Sequence, residues 1–239
     1  MTNNEIDKSL APAVVVMDFD DVLAPLSIEL YHNIRKNWLI YSRWFVDLGE
    51  LSDKEIMERK FYNMLEWMIK KKFIKLSSNE YSAVILEVSE MLNQTFFNKD
   101  VYDTMEPTEF AKRTLLNPLY IESNNIKHIY IISRNITEMQ DISKRRFVET
   151  YFTNPKITYL SVEKYQKKSS IIKENNINFN MFIDDELPNI RDIVEHIDNI
   201  ERKEFVIPRY GYNVMPNDLD VIIQAAGAVV NYYDPFKKE

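Results

Sequence analysis

Five short apolar runs are the most regular feature of this chain, and polar stretches of helical length separate the last four of them. A strand that is buried on both faces reads as a continuous apolar run of this kind. Alternation of such strands with helices predicts an α/β fold, a Rossmann-like parallel sheet with helices on both faces. We interpret as strands residues 13–17, 128–132, 157–160, 180–183 and 204–207. Helices are predicted at about 137–152, 167–175, 188–197 and 219–230.

The segment between the first two strands carries only helical signals. Apolar residues recur at helical spacing over residues 26–48, and capping boxes at 52–55 and 77–80 open helices predicted to reach about residues 72 and 97. Pro107 fits the first turn of a further helix that reaches about residue 116. The predicted organisation is an α/β core of residues 1–25 and 107–239 with a helical insertion of residues 26–106.

Composition narrows the classes of protein to which the chain can belong. The 239 residues carry a formal net charge of -7, which leaves only a local basic patch as a route to nucleic acid. The absence of cysteine excludes disulfides, thiol nucleophiles and Cys-ligated metals. The three glycines are scattered, so the chain has neither a Walker A loop nor a GxGxxG fingerprint. The polar N-terminus and the lack of an apolar run near the ~20 residues of a membrane span predict a cytoplasmic protein without a membrane partner.

Polar side chains of particular types follow three of the predicted strands. Asp18 and Asp20 follow the first strand, Ser133 and then Arg134 follow the second, and the pair 184–185, both aspartates, follows the fourth. A lysine, Lys167 or Lys168, opens the helix before the fourth strand. Because the carboxyl ends of parallel strands share one edge of a sheet, these side chains are expected to converge in one crevice. So many carboxylates in one place require a cation or a reaction that uses them.

Each residue type in this set suits phosphoryl transfer. A carboxylate can attack phosphorus and form an aspartyl-phosphate, and a second carboxylate can protonate the leaving oxygen and later activate water. Mg²⁺ prefers oxygen ligands and lets an anionic nucleophile approach an anionic phosphate. A hydroxyl and an ammonium group can bind the non-bridging oxygens.

The ordered motifs resemble those of the haloacid dehalogenase superfamily of Mg²⁺-dependent phosphohydrolases. Its four motifs match the segments 18–22, 131–133, Lys168 or Lys167, and 182–185, and the resemblance spans about residues 14–207. The resemblance implies Asp18 as the nucleophile, Asp20 as the acid/base, and a helical C1 cap at the insertion. It also implies Ser133, Arg134 and Lys168 as substrate-binding residues. The implied ligands of Mg²⁺ are Asp18, the backbone carbonyl of Asp20, Asp184 and Asp185.

These features predict a phosphoric monoester hydrolase that acts on a small molecule, similar to the 5'-nucleotidases and deoxyribonucleotidases of that superfamily. The alternatives are a polynucleotide-end or sugar phosphatase and a phosphate-binding protein without turnover. Halide displacement is disfavoured because it has no use for the further carboxylates. Cations and aromatic residues alternate over 35–45, where they either stack a nucleobase or pack in the core of the insertion. Asp184 and Asp185 either ligate the metal or only cap the helix that follows.

Overall fold

The protein folds around one six-stranded parallel sheet, described by a computed structural model over residues 12–60, 63–75, 81–213 and 217–236. The strand order is β3-β2-β1-β4-β5-β6, and every neighbouring pair is parallel. The predicted α/β class with a Rossmann-like sheet is therefore confirmed. The strands are β1 Ala13–Met17, β2 Ile126–Arg134, β3 Ile157–Val162, β4 Met181–Ile183, β5 Glu204–Pro208 and β6 Val229–Tyr233.

Both faces of the sheet are buried, which explains why the strands read as unbroken apolar runs. Side chains of a strand alternate between the two faces. Val15 and Met17 therefore pack in one hydrophobic cluster, together with Phe147 of the helix that follows β2. Val16 packs in the other cluster, with Ile190 of the helix that follows β4.

The order of the strands places a crevice beside β1. The chain runs from β1 outward through β2 and β3 and then returns to β4 on the other side of β1. In open α/β sheets ligands bind at the carboxyl ends of the strands where the chain reverses in this way. The polar residues after β1 and β4 lie at that point.

The helices surround the sheet and fill the segment between β1 and β2. In the described part of the chain, the helices are α1 Leu26–Lys36, α2 Trp38–Tyr41, α3 Asp53–Met57, α4 Met64–Lys70, α5 Tyr81–Leu92, α6 Glu109–Thr114, α7 Pro118–Ser123, α8 Glu138–Tyr151, α9 Lys168–Glu174, α10 Leu187–His196 and α11 Asn217–Ala225. A π-helical turn, Asn93–Phe97, continues α5, and 3₁₀ turns form at Val101–Thr104, Ile200–Arg202 and Gly211–Asn213. None of the helices in the described ranges is long and apolar enough to cross a membrane.

Several predicted helix boundaries in the insertion are wrong. The stretch 26–48 forms helix only as far as Tyr41. The capping box at Ser52 does open a helix, but that helix ends at Met57 instead of reaching residue 72. Asn63 then caps a new helix by accepting hydrogen bonds from the backbone N–H groups of residues 65 and 66. The predicted capping box at 77–80 lies outside the described residues.

Two further predictions on the core are corrected. Pro107 precedes α6 rather than entering its first turn, because Thr108 is the residue that caps the helix. The predicted closing helix over 219–230 ends at Ala225, and Gly227 adopts a φ of 76°. Glycine in this left-handed conformation commonly terminates helices. The chain then forms β6, which the sequence analysis missed and which pairs with β5 at the edge of the sheet.

The insertion shares a hydrophobic core with one face of the sheet. Leu30, Trp67 and Phe96 of the insertion belong to the same cluster of buried residues as Val15 and Met17 of β1. Within the described residues, extended pairing in the insertion is limited to the isolated bridge between Phe45 and Ile74. The division into a core and a cap at residues 26 and 106 stays a prediction.

Candidate active site

Asp18 follows β1 at the reversal point of the sheet and is 5% exposed. Its backbone N–H donates to the carbonyl of Ile183 at 2.8 Å, which ties the end of β1 to the end of β4. Asp21 adopts a φ of 56°, a left-handed conformation that aspartate tolerates better than most residues. The chain therefore turns sharply after Asp20, and the loop after β1 carries three carboxylates, those of Asp18, Asp20 and Asp21.

Lys168 joins the two sides of the crevice. Its Nζ donates to Oδ1 of Asp18 at 2.5 Å and to Oδ2 of Asp184 at 2.7 Å, and its side chain is 2% exposed. Burial lowers the pKa of this ammonium, but the carboxylates of Asp18 and Asp184 outweigh that effect and raise it. Lys167 instead forms a surface ion pair with Asp192 at 3.2 Å. Of the two lysines that the sequence left open, the structure brings Lys168 to the crevice.

The acidic pair after β4 is fully buried. Asp184 accepts hydrogen bonds from the backbone N–H of Glu186 at 2.8 Å and from the amide of Asn189 at 3.2 Å. The capping residue of α10 is Glu186, whose side chain makes no capping hydrogen bond. Burial raises the pKa of Asp184, against the lowering effect of Lys168. Asp184 therefore does more than cap the first turn of α10, because it also accepts a hydrogen bond from Lys168.

Carboxylates of Asp18, Asp184 and Asp185 lie together in a way that suits a hard cation. One oxygen from each lies within 4.8 Å of the others, and all three residues are buried. Burial raises the pKa of the neighbouring Glu186 to about 8, and the negative charges of Asp18 and Asp20 contribute to that shift. The all-oxygen donors and the negative charge of the three carboxylates fit Mg²⁺, which would neutralise that charge.

Ser133 and Asp20 are connected by a lysine that the sequence analysis missed. Lys144 of α8 is fully buried, and its Nζ donates to Oδ2 of Asp20 at 2.6 Å, to Oγ of Ser133 at 2.8 Å and to the carbonyl of Arg134 at 3.0 Å. The spacing of buried residues on α8, at 140, 143, 144, 147 and 148, places Lys144 on the inward face. A lysine at an inward helical position was the signal that could have identified it.

A second missed cation, Arg59, holds Asp21 against the insertion. Nη2 of Arg59 lies 3.7 Å from Oδ2 of Asp21 and donates to Oγ of Ser27 at 2.9 Å. Ser27 in turn donates to both carboxylate oxygens of Asp21, through its backbone N–H at 2.8 Å and through its hydroxyl. This buried cluster links the loop after β1 to α1 and to the segment between α3 and α4.

The segment after β5, residues 209–213, contacts both acidic loops at the carboxyl edge of the sheet. The hydroxyl of Tyr210 donates to the carbonyl of Asp21 at 2.5 Å, and the amide of Asn213 donates to the carbonyl of Asp185 at 3.2 Å. Gly211 packs so closely on the insertion that a Cβ atom there would lie 2.0 Å from the carbonyl oxygen of Glu58. The backbones of both acidic loops are therefore fixed by neighbours.

A cavity of about 520 Å³ opens between this edge and the insertion, a size typical of small-molecule sites. Its floor includes Asp20, Asp185 and Glu186, and the side chain of Arg134 also lines it. Nε of Arg134 is buried and has no hydrogen-bond partner in the described part of the chain. The far wall comes from the insertion and from the segment after β2. It has an apolar part, formed by Leu26, Leu30, Met64, Leu65, Leu92, Phe97 and Ile136, and polar side chains at Ser27, Arg59, Asn63, Ser89 and Asn93.

The aromatic and cationic residues at 35–45 do not form the wall of this cavity in the structure as described. Tyr41 and Phe45 are buried in the hydrophobic cluster of the insertion, and Trp38 and Trp44 pack against that cluster. Of the two interpretations of this segment, packing in the insertion is the one that the structure favours.

Among known proteins, only solved structures resemble this chain. No family model matches the chain, and no curated protein matches it. A protein from Burkholderia xenovorans LB400 named as a haloacid dehalogenase-like hydrolase is 14% identical, with 93% of this chain and 96% of that one covered and a TM-score of 0.42. A haloacid dehalogenase-like family hydrolase from Xanthomonas campestris is 13% identical, with 91% and 98% covered and a TM-score of 0.42. A protein from Bacteroides vulgatus named as a candidate β-phosphoglucomutase is 14% identical, with 95% and 86% covered and a TM-score of 0.41. Similarity at this level carries no argument about activity, so the function is argued from the site itself.

Proposed function

We propose that this protein is a Mg²⁺-dependent phosphatase that hydrolyses a small phosphate monoester through an aspartyl-phosphate on Asp18. The observation that carries the proposal is the position of Asp18. It lies at the reversal point of a parallel sheet, hydrogen-bonded to Lys168 beside Asp184, with Asp20 and Ser133 at the same edge. These are the side chains that phosphoryl transfer through a carboxylate requires.

The roles of the side chains follow from their chemistry. Asp18 attacks phosphorus, and Asp20 gives a proton to the leaving oxygen and later takes one from the attacking water. Ser133 and Lys168 bind oxygens of the phosphoryl group, and Arg134, which has a buried Nε without a partner, binds the substrate from the cavity wall. Asp18, Asp184 and Asp185, with the carbonyl of Asp20, would hold Mg²⁺. Bound there, the ion would supply positive charge that offsets these carboxylates and the negative charge of the phosphoryl group.

The cavity supports a nucleotide or deoxynucleotide monophosphate as the substrate class. Its volume of about 520 Å³ exceeds what a phosphate group needs, and a partly apolar wall faces the acidic floor. Phe97 offers a ring to a base, and Asn93 offers a polar group beside it. The residues 26–106 act as the cap that closes over the substrate, which disfavours polynucleotide ends.

A substrate panel tests this proposal. Phosphate release is measured from nucleoside monophosphates, deoxynucleoside monophosphates, sugar phosphates and p-nitrophenyl phosphate, with Mg²⁺ or with a chelator. We expect Mg²⁺-dependent release that is fastest for a nucleotide. Release that is equally fast with the chelator contradicts the metal assignment, and preference for a sugar phosphate contradicts the substrate class.

A phosphate-binding protein without turnover gives a different result in the same panel. No member of the panel would release phosphate, while calorimetry would detect binding of Mg²⁺ and inorganic phosphate. That outcome would replace the enzyme proposal with a binding role for the same residues.

A further inference from the structure

Both carboxylate oxygens of Asp20 already have a donor that belongs to the protein. The hydroxyl of Tyr102 lies 2.7 Å from Oδ1, and Nζ of Lys144 lies 2.6 Å from Oδ2. Tyr102 and Lys144 are both fully buried, whereas the side chain of Asp20 is 26% exposed on its open side. Tyr102 and Lys144 therefore hold the carboxylate of Asp20 on its buried side, while its exposed side stays accessible.

Lys144 also fixes the direction of the hydroxyl of Ser133. An ammonium group has three protons and no acceptor, and the three acceptors Asp20, Ser133 and the carbonyl of Arg134 take all three of them. Oγ of Ser133 must therefore accept from Lys144, which leaves the hydroxyl hydrogen of Ser133 for another acceptor. Lys144 itself has no proton left for a substrate, so its effect on the reaction passes through Asp20 and Ser133.

The direction of the hydrogen bond from Tyr102 is fixed in the same way. The amide nitrogen of Gln140 donates to the hydroxyl oxygen of Tyr102 at 3.1 Å, so the hydroxyl hydrogen points to Asp20. The ring of Tyr102 packs on Phe19 with a centroid distance of 5.4 Å, and Nζ of Lys144 lies over both rings at 5.3 and 5.4 Å. Tyr102 belongs to the 3₁₀ turn Val101–Thr104, which packs on α8. The end of the insertion thus supplies one of the two donors.

We propose that Lys144 and Tyr102 are positioning residues that aim the carboxyl group of Asp20 at the leaving oxygen of the substrate, and that Lys144 also aims the hydroxyl of Ser133 at the phosphoryl group. The inference rests on the proposed phosphatase function. In the first step, the bond from Asp18 to phosphorus forms and the bond from phosphorus to the leaving oxygen breaks. The electron pair of the broken bond stays on the leaving oxygen, which takes the proton from Asp20. A poorly aimed carboxyl group delivers that proton slowly.

Two aryl phosphates with different leaving groups distinguish this role from a purely structural one. p-Nitrophenolate leaves readily without a proton, whereas phenolate is a poorer leaving group and needs proton transfer more. We expect Tyr102→Phe to lower kcat for phenyl phosphate by about tenfold or more, and for p-nitrophenyl phosphate by less than about threefold. Lys144→Met also releases Ser133, so we expect it to lower both rates and to lower the rate for phenyl phosphate by about tenfold more. The change in the ratio of the two rates is the readout, because general loss of structure lowers both rates equally.

Matched controls remove a similar group without touching Asp20. Tyr159→Phe removes a hydroxyl that bonds to Asn135 and Asp141, and Lys203→Met removes a buried lysine that bonds to the carbonyl of Phe179. We expect both controls to keep the wild-type ratio. If Lys144→Met does not fold, Tyr102→Phe carries the test alone, since it removes one oxygen atom.

The outcomes separate this inference from the proposal on which it rests. A wild-type protein that releases no phosphate from either ester or from any nucleotide of the substrate panel overturns the phosphatase function and the positioning role together. An active wild type whose ratio is unchanged in Tyr102→Phe overturns only the positioning role. A ratio that falls in both variants and in neither control supports it.

Discussion

Replacement of Glu186 by glutamine measures what burial and the nearby carboxylates cost an ionised side chain at this position when no cation is bound. Burial raises the pKa of Glu186 from its ordinary 4.5 to about 8, and Asp18 and Asp20 add to the shift. The unfolded chain loses this proton near pH 4.5 and the folded chain keeps it up to about pH 8. Stability is therefore lost as the pH rises through that interval. The free energy of unfolding falls by about 1.36 kcal/mol per pH unit in this interval. The carboxyl group of Glu186 therefore lowers it by about 2 kcal/mol at pH 6 and by about 4.5 kcal/mol at pH 8.5.

Urea unfolding of the metal-free protein, in the presence of a chelator, tests this magnitude. Glutamine keeps the shape of the side chain and cannot ionise, so we expect Glu186→Gln to be more stable than the wild type. The difference in the free energy of unfolding should widen by about 2 to 3 kcal/mol between pH 6 and pH 8.5. Glu195→Gln, at an exposed position on the same helix, is the matched control, and its difference should not widen. A difference for Glu186→Gln that stays constant or narrows as the pH rises would refute the reasoning.

Three further substitutions probe the contacts that hold the acidic loops. Arg59→Met should lower the free energy of unfolding by about 3 kcal/mol, because it leaves the buried carboxylate of Asp21 without its cation. The same substitution should cost less when it is made in an Asp21→Asn background. Gly211→Ala should lower the urea midpoint and the phosphatase rate together, since its Cβ would lie 2.0 Å from the carbonyl oxygen of Glu58, and wild-type values for both would contradict that packing. Ser52→Ala should cost about 1 kcal/mol of stability through the lost helix cap without changing the rate, as urea unfolding and phosphate release can show.

The alternation of apolar and polar segments was enough to predict the class of the fold. β1 to β5 lie at the predicted apolar runs because a strand buried on both faces has a simple signature. β6 was missed because Val229 and Val230 follow a helical pattern without a break except at Gly227, two residues after the helix ends. The long helix predicted from Ser52 failed for a similar reason, since helical periodicity alone does not show the break between Met57 and Asn63, where Arg59 lies beside Asp21.

The site was predictable to the extent that it lies at strand ends. Asp18 and Asp20 follow β1, Asp184 and Asp185 follow β4, and Ser133 is the last residue but one of β2. The topology of a parallel sheet brings residues at such strand ends together. Lys144 of α8 and Arg59, which lies between α3 and α4, are far along the chain from Asp20 and Asp21, and lysine and arginine are usually solvated. The helical spacing could have placed Lys144 on an inward face, but the partner of either cation depends on three-dimensional packing, which sequence spacing does not encode.

The central claim is that Asp18 is the nucleophile of a phosphatase, and one comparison of rates tests it directly. Mg²⁺-dependent phosphate release from p-nitrophenyl phosphate is measured for the wild type, for Asp18→Asn, and for Asp198→Asn at an exposed position as the control. The account predicts that Asp18→Asn loses at least about a thousandfold in kcat while it still unfolds cooperatively, and that the control keeps the wild-type rate. An Asp18→Asn variant with a rate near that of the wild type would contradict the account.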